Sequence, residues 1–417
     1  MDDILTTNAG AALDQLLDLR EGERLLITTD EATRVVADAF EAAARARKAQ
    51  PVVYVLPEAK RPLTEVPEDL AALVPDSDVA VNLFQGIAGE TPFRVELLRM
   101  LGKVVRRMGH GPGITESMLR EGPMGVDYDK MAVLASELIR VFDDACAVQI
   151  KAPSGTDITM DIAGRAFSTD TQILDGQWGN LPAGEIWCAP VEDSANGVIV
   201  CDGSIGDLGA VPAPVRISVE KGRATKVECA NAEFLARVEE VLAVDDEARV
   251  IGEMGIGLNA GARLTGNLLE DEKANRTAHI AFGNNEDMPG GQNRSRTHRD
   301  FLFRDPTFLI TYADGRTERP IADGLIVKRR REPVRIAYKH ILVAIDFSEA
   351  SGRALQTADT LARSNHASLT VCHVTHRVTA VSPLFPHIAS MPDTALARRQ
   401  EEEDLDRMAR LVAEFTG

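Results

Sequence analysis

Arg24-Leu25-Leu26-Ile27-Thr28-Thr29-Asp30, followed by the alanine-rich Glu31 to Lys48 and by Pro51-Val52-Val53-Tyr54-Val55-Leu56-Pro57, is the stretch that decides the fold. Both outer runs are nearly continuous apolar segments closed by turn residues, which reads as strands buried on two faces. The segment between them is an amphipathic helix. Strands alternating with helices indicate a parallel sheet covered on both sides. The same rhythm extends outward. Ala11 to Leu19 has the helical spacing of Leu13, Leu16 and Leu17, Asp78-Val79-Ala80-Val81-Asn82-Leu83 is a third strand, and Pro92 to Leu101 is helical. His110-Gly111-Pro112-Gly113 makes a turn, and a helix from Asp127 to Asp144 closes an N-terminal α/β domain over 1–146. Thr28-Thr29-Asp30-Glu31 stands where a Gly-x-Gly-x-x-Gly turn would follow the first strand, so a dinucleotide site is not supported.

From Ala147 the texture changes. Val148 to Lys151, Asp157 to Ile162, Gly197 to Val200 and Val215 to Val219 alternate or are β-branched, with turns between them and one helical segment, Ala232 to Leu242. This describes a largely antiparallel, strand-rich α+β domain over 147–327. Lys328 to Arg335 is a basic run inside an acidic chain and reads as a solvated linker over 328–336. Beyond it, over 337–417, come a strand (Ile341 to Asp346), a helix (Ser348 to Arg363), a strand (Ser368 to Val374) and a charged amphipathic helix (Asp393 to Phe415). The expected fold class is therefore α/β: a parallel α/β domain, a strand-rich α+β domain and a short βαβα extension.

A formal net charge of −18 argues against nucleic-acid and anionic-membrane partners, because both need clustered Lys and Arg. The start, Met1-Asp2-Asp3-Ile4-Leu5, lacks the basic and apolar regions of a signal peptide. Cys146, Cys188, Cys201, Cys229 and Cys372 form no Cys-x-x-Cys pair, which points to a reducing, cytoplasmic location. A thiolate zinc site is thereby disfavoured, and a metal would have to be held by Glu, Asp and His.

Such residues gather between Gly252 and Asp300. Of 8 histidines in the chain, only three precede residue 330, and His279 and His298 are two of them. His298 and Asp300 are i and i+2, so an extended segment turns both to one side. His279 lies in the strand-like Ala278-His279-Ile280-Ala281-Phe282, and Glu253 sits among the glycines of Gly252 to Gly257, read as a glycine-rich turn. Together they make a credible metal-binding set. The neighbouring Glu270-Asp271-Glu272 run is ordinarily a solvated surface.

Four blocks carry a resemblance: Asn180 to Gly197 (with Gly184-Glu185-Ile186-Trp187-Cys188-Ala189-Pro190-Val191-Glu192-Asp193), Gly252-Glu253-x-Gly-Ile-Gly-x-Asn259, His279-Ile-Ala-Phe-Gly283, and Thr297-His298-Arg299-Asp300-Phe301. In order and spacing the chain from 1 to 327 resembles the M29 family of metallo-aminopeptidases and their leucyl aminopeptidase relatives. Carried over by position, the resemblance implies metal ligands at Glu185, Glu253, His279, His298 and Asp300. It implies two adjacent divalent ions, zinc or cobalt, a shared activated water, and a small peptide as substrate. A homodimer is the expected assembly, to which the short βαβα extension could contribute an interface. Glu185 and Glu253 are the candidate catalytic carboxylates. Glu192 and Asp193 are candidates for orienting Glu185, and Asp271 and Glu272 for orienting His279. One departure stands out: Gly283-Asn284-Asn285-Glu286-Asp287 replaces a tyrosine-containing segment of the better-known peptidases. The alternative within the same fold family is a mononuclear non-haem iron dioxygenase of the 2,5-dihydroxypyridine type, with His279, His298 and Asp300 as the iron triad.

Tyr338 to Glu349 resembles the opening of a universal stress protein domain, which implies a place near a nucleotide base for Asp346. The family's Gly-x-x-Gly phosphate loop does not occur before Gly417, so ATP has no evident phosphate cradle. His373, His376 and His387 have no common metal-ligand spacing and read as loop or surface histidines.

Overall fold

Apolar alternation produces the strands that the sequence led us to expect, and several more. β1 (Arg24–Thr29), β2 (Gln50–Val55), β3 (Val79–Leu83) and β4 (Arg107–His110) lie parallel, in the order β2-β1-β3-β4. From Ala145 the chain is dominated by strands: β5 (Ala145–Lys151), β6 (Asp157–Asp161), β7 (Ser168–Thr169), β8 (Gln177–Asn180), β9 (Glu185–Cys188), β10 (Asn196–Cys201), β11 (Ser204–Ile205), β12 (Gly209–Ala210), β13 (Val215–Glu220), β14 (Arg223–Cys229), β15 (Ile251–Gly257), β16 (Thr277–Gly283), β17 (His298–Arg304), β18 (Thr307–Tyr312), β19 (Thr317–Ala322) and β20 (Leu325–Ile326). β8 returns to the first sheet and pairs with β4 in parallel. The others build two antiparallel sheets, β14-β13-β10-β6-β5-β18-β19-β20 and β12-β11-β17-β16-β15-β9-β7. Up to residue 327 the molecule is thus mixed α/β, with one parallel sheet and two larger antiparallel ones.

This computed structural model describes residues 3–87, 89–327, 339–365, 367–373, 405–407 and 409–410. It divides into two compact units, Met1–Lys328 and Arg329–Gly417. Among the described residues no helix is long and apolar enough to cross a membrane.

The helices follow their apolar stripes. Tyr128–Phe142 is capped by Asp127, whose side chain accepts from the Lys130 amide, and buries Tyr128, Met131, Ala135, Leu138 and Phe142 at three- and four-residue spacing. Phe142 meets Phe167 and Phe308 at 4.9 and 6.0 Å between ring centroids, which fastens this helix to the antiparallel part. The first helix lies earlier than its spacing suggested, at Asp3–Ala11, continued by a wider turn over Ala12–Leu16. The buried stripe starts at Leu5 and Ala9, so Leu13 and Leu16 are only its second half.

In the C-terminal unit β21 (His340–Ile345) and β22 (Ser368–His373) are parallel, with Glu349–Asn365 as the helix between them. Val343, Ile345, Leu355 and Ala358 form its small core. The expected helix from Asp393 to Phe415 is described only at 405–407 and 409–410, which are helical. The linker over 328–336, His376 and His387 lie outside the described residues.

Candidate metal centre

The five expected ligands come from four adjacent strands of one sheet, ordered β17-β16-β15-β9. Register places Gly257 opposite Glu185, Gly255 between Trp187 and His279, and Glu253 opposite Ala281. On the other side His279 faces Leu302, Ala281 faces Asp300 and Gly283 faces His298. Since side chains on a strand alternate, Glu185, Glu253, His279, His298 and Asp300 all project from one face. The residues between them on that face are small, and this leaves room for the large ones to converge.

Gly252 to Gly257 is therefore not a turn, as its glycines suggested, but the buried strand β15. The glycines serve packing. A Cβ on Gly255 would lie 1.9 Å from His279 Nε2, so only glycine lets the imidazole cross β15 toward Glu253 and Glu185. Gly283 has φ +112 and would press a Cβ to 2.0 Å from the Thr297 carbonyl, which makes it the hinge by which β16 leaves the sheet.

Glu253 is central. Its Oε1 lies 3.1 Å from His279 Nε2 and its Oε2 lies 3.2 Å from His298 Nε2. Glu185 Oε2 is 3.5 Å from His279 Nε2, and Asp300 Oδ1 is 3.9 Å from His279 Nε2 and 3.6 Å from His298 Nε2. Two groups result, Glu185–Glu253–His279 and Glu253–His298–Asp300, each with its ligand atoms within 4.8 Å of one another. Glu185, Glu253, His279 and Asp300 are buried, whereas the His298 side chain is 33% exposed and marks the open side.

The buried imidazoles and carboxylates shift one another's proton affinity. Burial works against a charged His279, but the Glu253 hydrogen bond and the Glu185, Asp300 and Glu253 charges lift its pKa to about 9. His298 is raised well above its ordinary value, because Asp300 and Glu253 outweigh its desolvation. Burial alone would raise Glu253 and Asp300, yet the two imidazoles hold both below the usual carboxylate range. Glu185 differs: burial pushes its carboxyl well up, with the Lys273 charge opposing. Its Oε2 has no hydrogen-bond partner although it is buried. Buried carboxylates and imidazoles aimed at common points, with an orphaned carboxylate oxygen among them, are a donor set that fits divalent cations.

Residues outside this set orient it, and they are not those the sequence suggested. His298 Nδ1 donates to the Asn284 carbonyl at 2.8 Å, which leaves Nε2 free to ligate. The short segment after β16 thus has a positioning task of its own. Glu192 serves that segment rather than Glu185, since its Oε1 accepts from Gln292 N at 2.8 Å and Asn285 Nδ2 at 3.3 Å while its Oε2 pairs with Arg165. Asp271 does not touch His279 either. Its carboxylate accepts from the Thr265 and Gly266 amides, and His279 Nδ1 has no partner. Glu272 is bonded to Lys273 and Asn180. The run is no solvated surface: Glu270, Asp271 and Lys273 are all buried.

Lys273 is the buried neighbour of the candidate ligands that the sequence did not single out. It is 0% exposed and its Nζ lies 2.5 Å from Glu185 Oε1 and 2.6 Å from Glu272 Oε1. Asp170 supports the same corner, its Oδ1 accepting from the Gly184 and Glu185 amides at 2.9 and 3.1 Å. The sequence signal was weak: one lysine ending an acidic run, indistinguishable from an exposed ion-pair cluster.

Residues 134–324 match the family model described as thermophilic metalloprotease (M29), and residues 337–416 match the universal stress protein family. The chain therefore contains one region similar to the M29 family and, after it, one similar to the universal stress protein family. A curated relative, the 2,5-dihydroxypyridine 5,6-dioxygenase of Pseudomonas putida, is 26% identical over 295 residues, covering 65% of this chain and 82% of its own length. Among solved structures, a 2,5-dihydroxypyridine dioxygenase from Pseudomonas putida superposes with TM-score 0.59 at 18% identity, covering 78% of this chain and 97% of its own. AmpT from Thermus thermophilus gives TM-score 0.57 at 17% identity, with 78% and 99% covered. These two likenesses show the fold.

Proposed function

We propose that the 1–327 part is a metal-dependent aminopeptidase that removes N-terminal residues from small peptides, using two divalent ions, zinc or cobalt. The observation that carries this reading is the split of Glu253, one oxygen facing His279 and the other His298, at 3.1 and 3.2 Å. A carboxylate shared between two groups of ligands suits two neighbouring ions. The M29 match over 134–324 supports hydrolysis. When bound, the ions would polarise the scissile carbonyl and make water a nucleophile near neutral pH.

The chain's own residues supply the rest. Glu185, Glu253 and His279 would hold the inner ion, and Glu253, His298 and Asp300 the outer one. Glu185 and Glu253 are the carboxylates that touch the reacting centre. Asn284, through His298 Nδ1, keeps the outer imidazole in its ligating tautomer. The partly exposed His298 edge is the side on which a peptide enters.

A second reading, a mononuclear iron dioxygenase using His279, His298 and Asp300, is favoured by the curated relative at 26% identity. That reading gives Glu185 and Glu253 no metal role. Metal analysis of protein purified without added ions, paired with chromophore release from leucyl anilides, separates the two. The peptidase reading expects two ions per chain and release that disappears in His298→Ala. One iron per chain with no release from any aminoacyl substrate would replace it with the oxygenase.

A further inference from the structure

We propose that Lys273 is a positioning residue for the inner metal position, its ammonium fixing Glu185 as a one-oxygen ligand. This rests on the two-ion reading and adds to it the residue that shapes one position. Lys273 is 0% exposed. Its Nζ lies 2.5 Å from Glu185 Oε1, 2.6 Å from Glu272 Oε1 and 3.5 Å from Asp170 Oδ2. The ammonium donates to Glu185 Oε1 and Glu272 Oε1, and the Asp170 carboxylate adds a third nearby charge, so the cation is held in one place.

The consequence falls on Glu185. With Oε1 engaged by the ammonium, rotation of the carboxylate and chelation through both oxygens are disfavoured. Oε2 is left without a hydrogen-bond partner, 3.5 Å from His279 Nε2. The backbone of Glu185 is fixed as well. Asp170 Oδ1 accepts from its amide at 3.1 Å, and Thr169 Oγ1 donates to its carbonyl at 2.7 Å. Lys273 makes no ion pair with Glu253 or Asp300 among its contacts, which are Asp170, Glu185 and Glu272. Its influence should therefore be confined to the position that Glu185 serves. A lysine needed only for neutralising buried carboxylates would have no such selectivity.

The test is a Co²⁺ titration of the full chain, followed by visible absorption and by metal analysis after dialysis. It compares wild type, Lys273→Met, Lys273→Arg and Glu185→Gln. We expect two ions in wild type. In both lysine variants one ion should be held as in wild type and the other about 10–100-fold more weakly, as for loss of other groups that orient a ligand. Glu185→Gln should weaken the same ion and change the same absorption band. Lys273→Arg keeps the charge while displacing the donor, so it decides the matter if Lys273→Met does not fold. Lysine variants that bind both ions like wild type, or that weaken both equally, overturn the positioning role. A wild type that binds a single ion overturns the two-ion reading itself, and the role of Lys273 falls with it.

Discussion

Glu253 and Asp300 make opposite predictions although both are buried carboxylates of the same centre. Glu253 contributes an oxygen to each group of ligands, and Asp300 belongs only to the outer one. Glu253→Ala should therefore abolish binding of both ions, and Asp300→Asn should leave one. Metal analysis of the two variants checks this, and equal losses would contradict a shared Glu253. Gly255 gives a sharper case, since it has no functional group. Its Cβ would sit 1.9 Å from His279 Nε2, in the path of the ring and backed by the buried strands on either side. Gly255→Ala should drive the imidazole away from Glu253 and lower metal affinity by at least about tenfold, the lower end for a disturbed ligand shell. Titration with Co²⁺ and a melting curve would show the loss of ion with the fold retained.

Strand edges carry a second buried network, and it sets the behaviour of the parallel sheet in acid. The Arg61 side chain, 4% exposed, pairs with Asp30 at the end of β1 and with Glu90, just before the helix Thr91–Leu101. Asp30 also accepts from the Gln85 amide at 2.8 Å, and Glu90 from the Leu63 amide at 2.9 Å, so three loops meet on one guanidinium. Burial raises both carboxyls, but these amides and Arg61 outweigh it and leave both below their ordinary values. A depressed carboxyl stabilises the fold above its unfolded pKa, about 4, and that contribution is lost as pH falls through the lower folded value. Arg61→Met would strand two buried carboxylates and should cost about 3–5 kcal/mol near neutral pH. In urea melts the gap between wild type and variant should shrink as pH falls below about 4, where protonation relieves the stranded charges. A gap that does not change with pH would show that Arg61 acts through packing alone.

At this scale the sequence was legible wherever pattern and burial agree. β1, β2 and β3 are continuous apolar runs, and His298-x-Asp300 on β17 puts both side chains on one face because the period of a strand is two. β15 was not legible. Three of the residues in Gly252 to Gly257 are glycines, which strands normally avoid, and only the folded neighbours explain them: the His279 imidazole at Gly255, and the Gly283 and Ala274 carbonyls at Gly252 and Gly257. Lys273 was hidden for a related reason: charge in a short run says nothing about burial until the strands bring Glu185 and Asp170 to it. Local spacing cannot encode a contact made 88 residues away.

Across the whole molecule, the hydrophobic cores indicate which pieces of the chain can stand alone. One core runs from Leu25 and Ile27 on β1 through Ile186, Met254 and Ile280 to Phe301 and Phe308, and so spans the parallel and antiparallel sheets. β8 adds the fifth strand of the parallel sheet from beyond residue 147. A fragment ending at 146 would expose that edge at β4 and strip Phe167 and Phe308 from Phe142, and it should not unfold cooperatively. The C-terminal unit has its own small core of Val343, Ile345, Leu355 and Ala358, which shares no member with the larger one. All five candidate ligands, Lys273 and Asn284 precede residue 328. A chain ending at Val327 should therefore bind the same number of ions with the affinity of the full chain, and should cleave the same anilides. Calorimetric unfolding of this fragment should keep the main transition of the full-length protein at an unchanged temperature. Loss of an ion or of that transition on truncation would contradict this independence of the centre from the residues after 327.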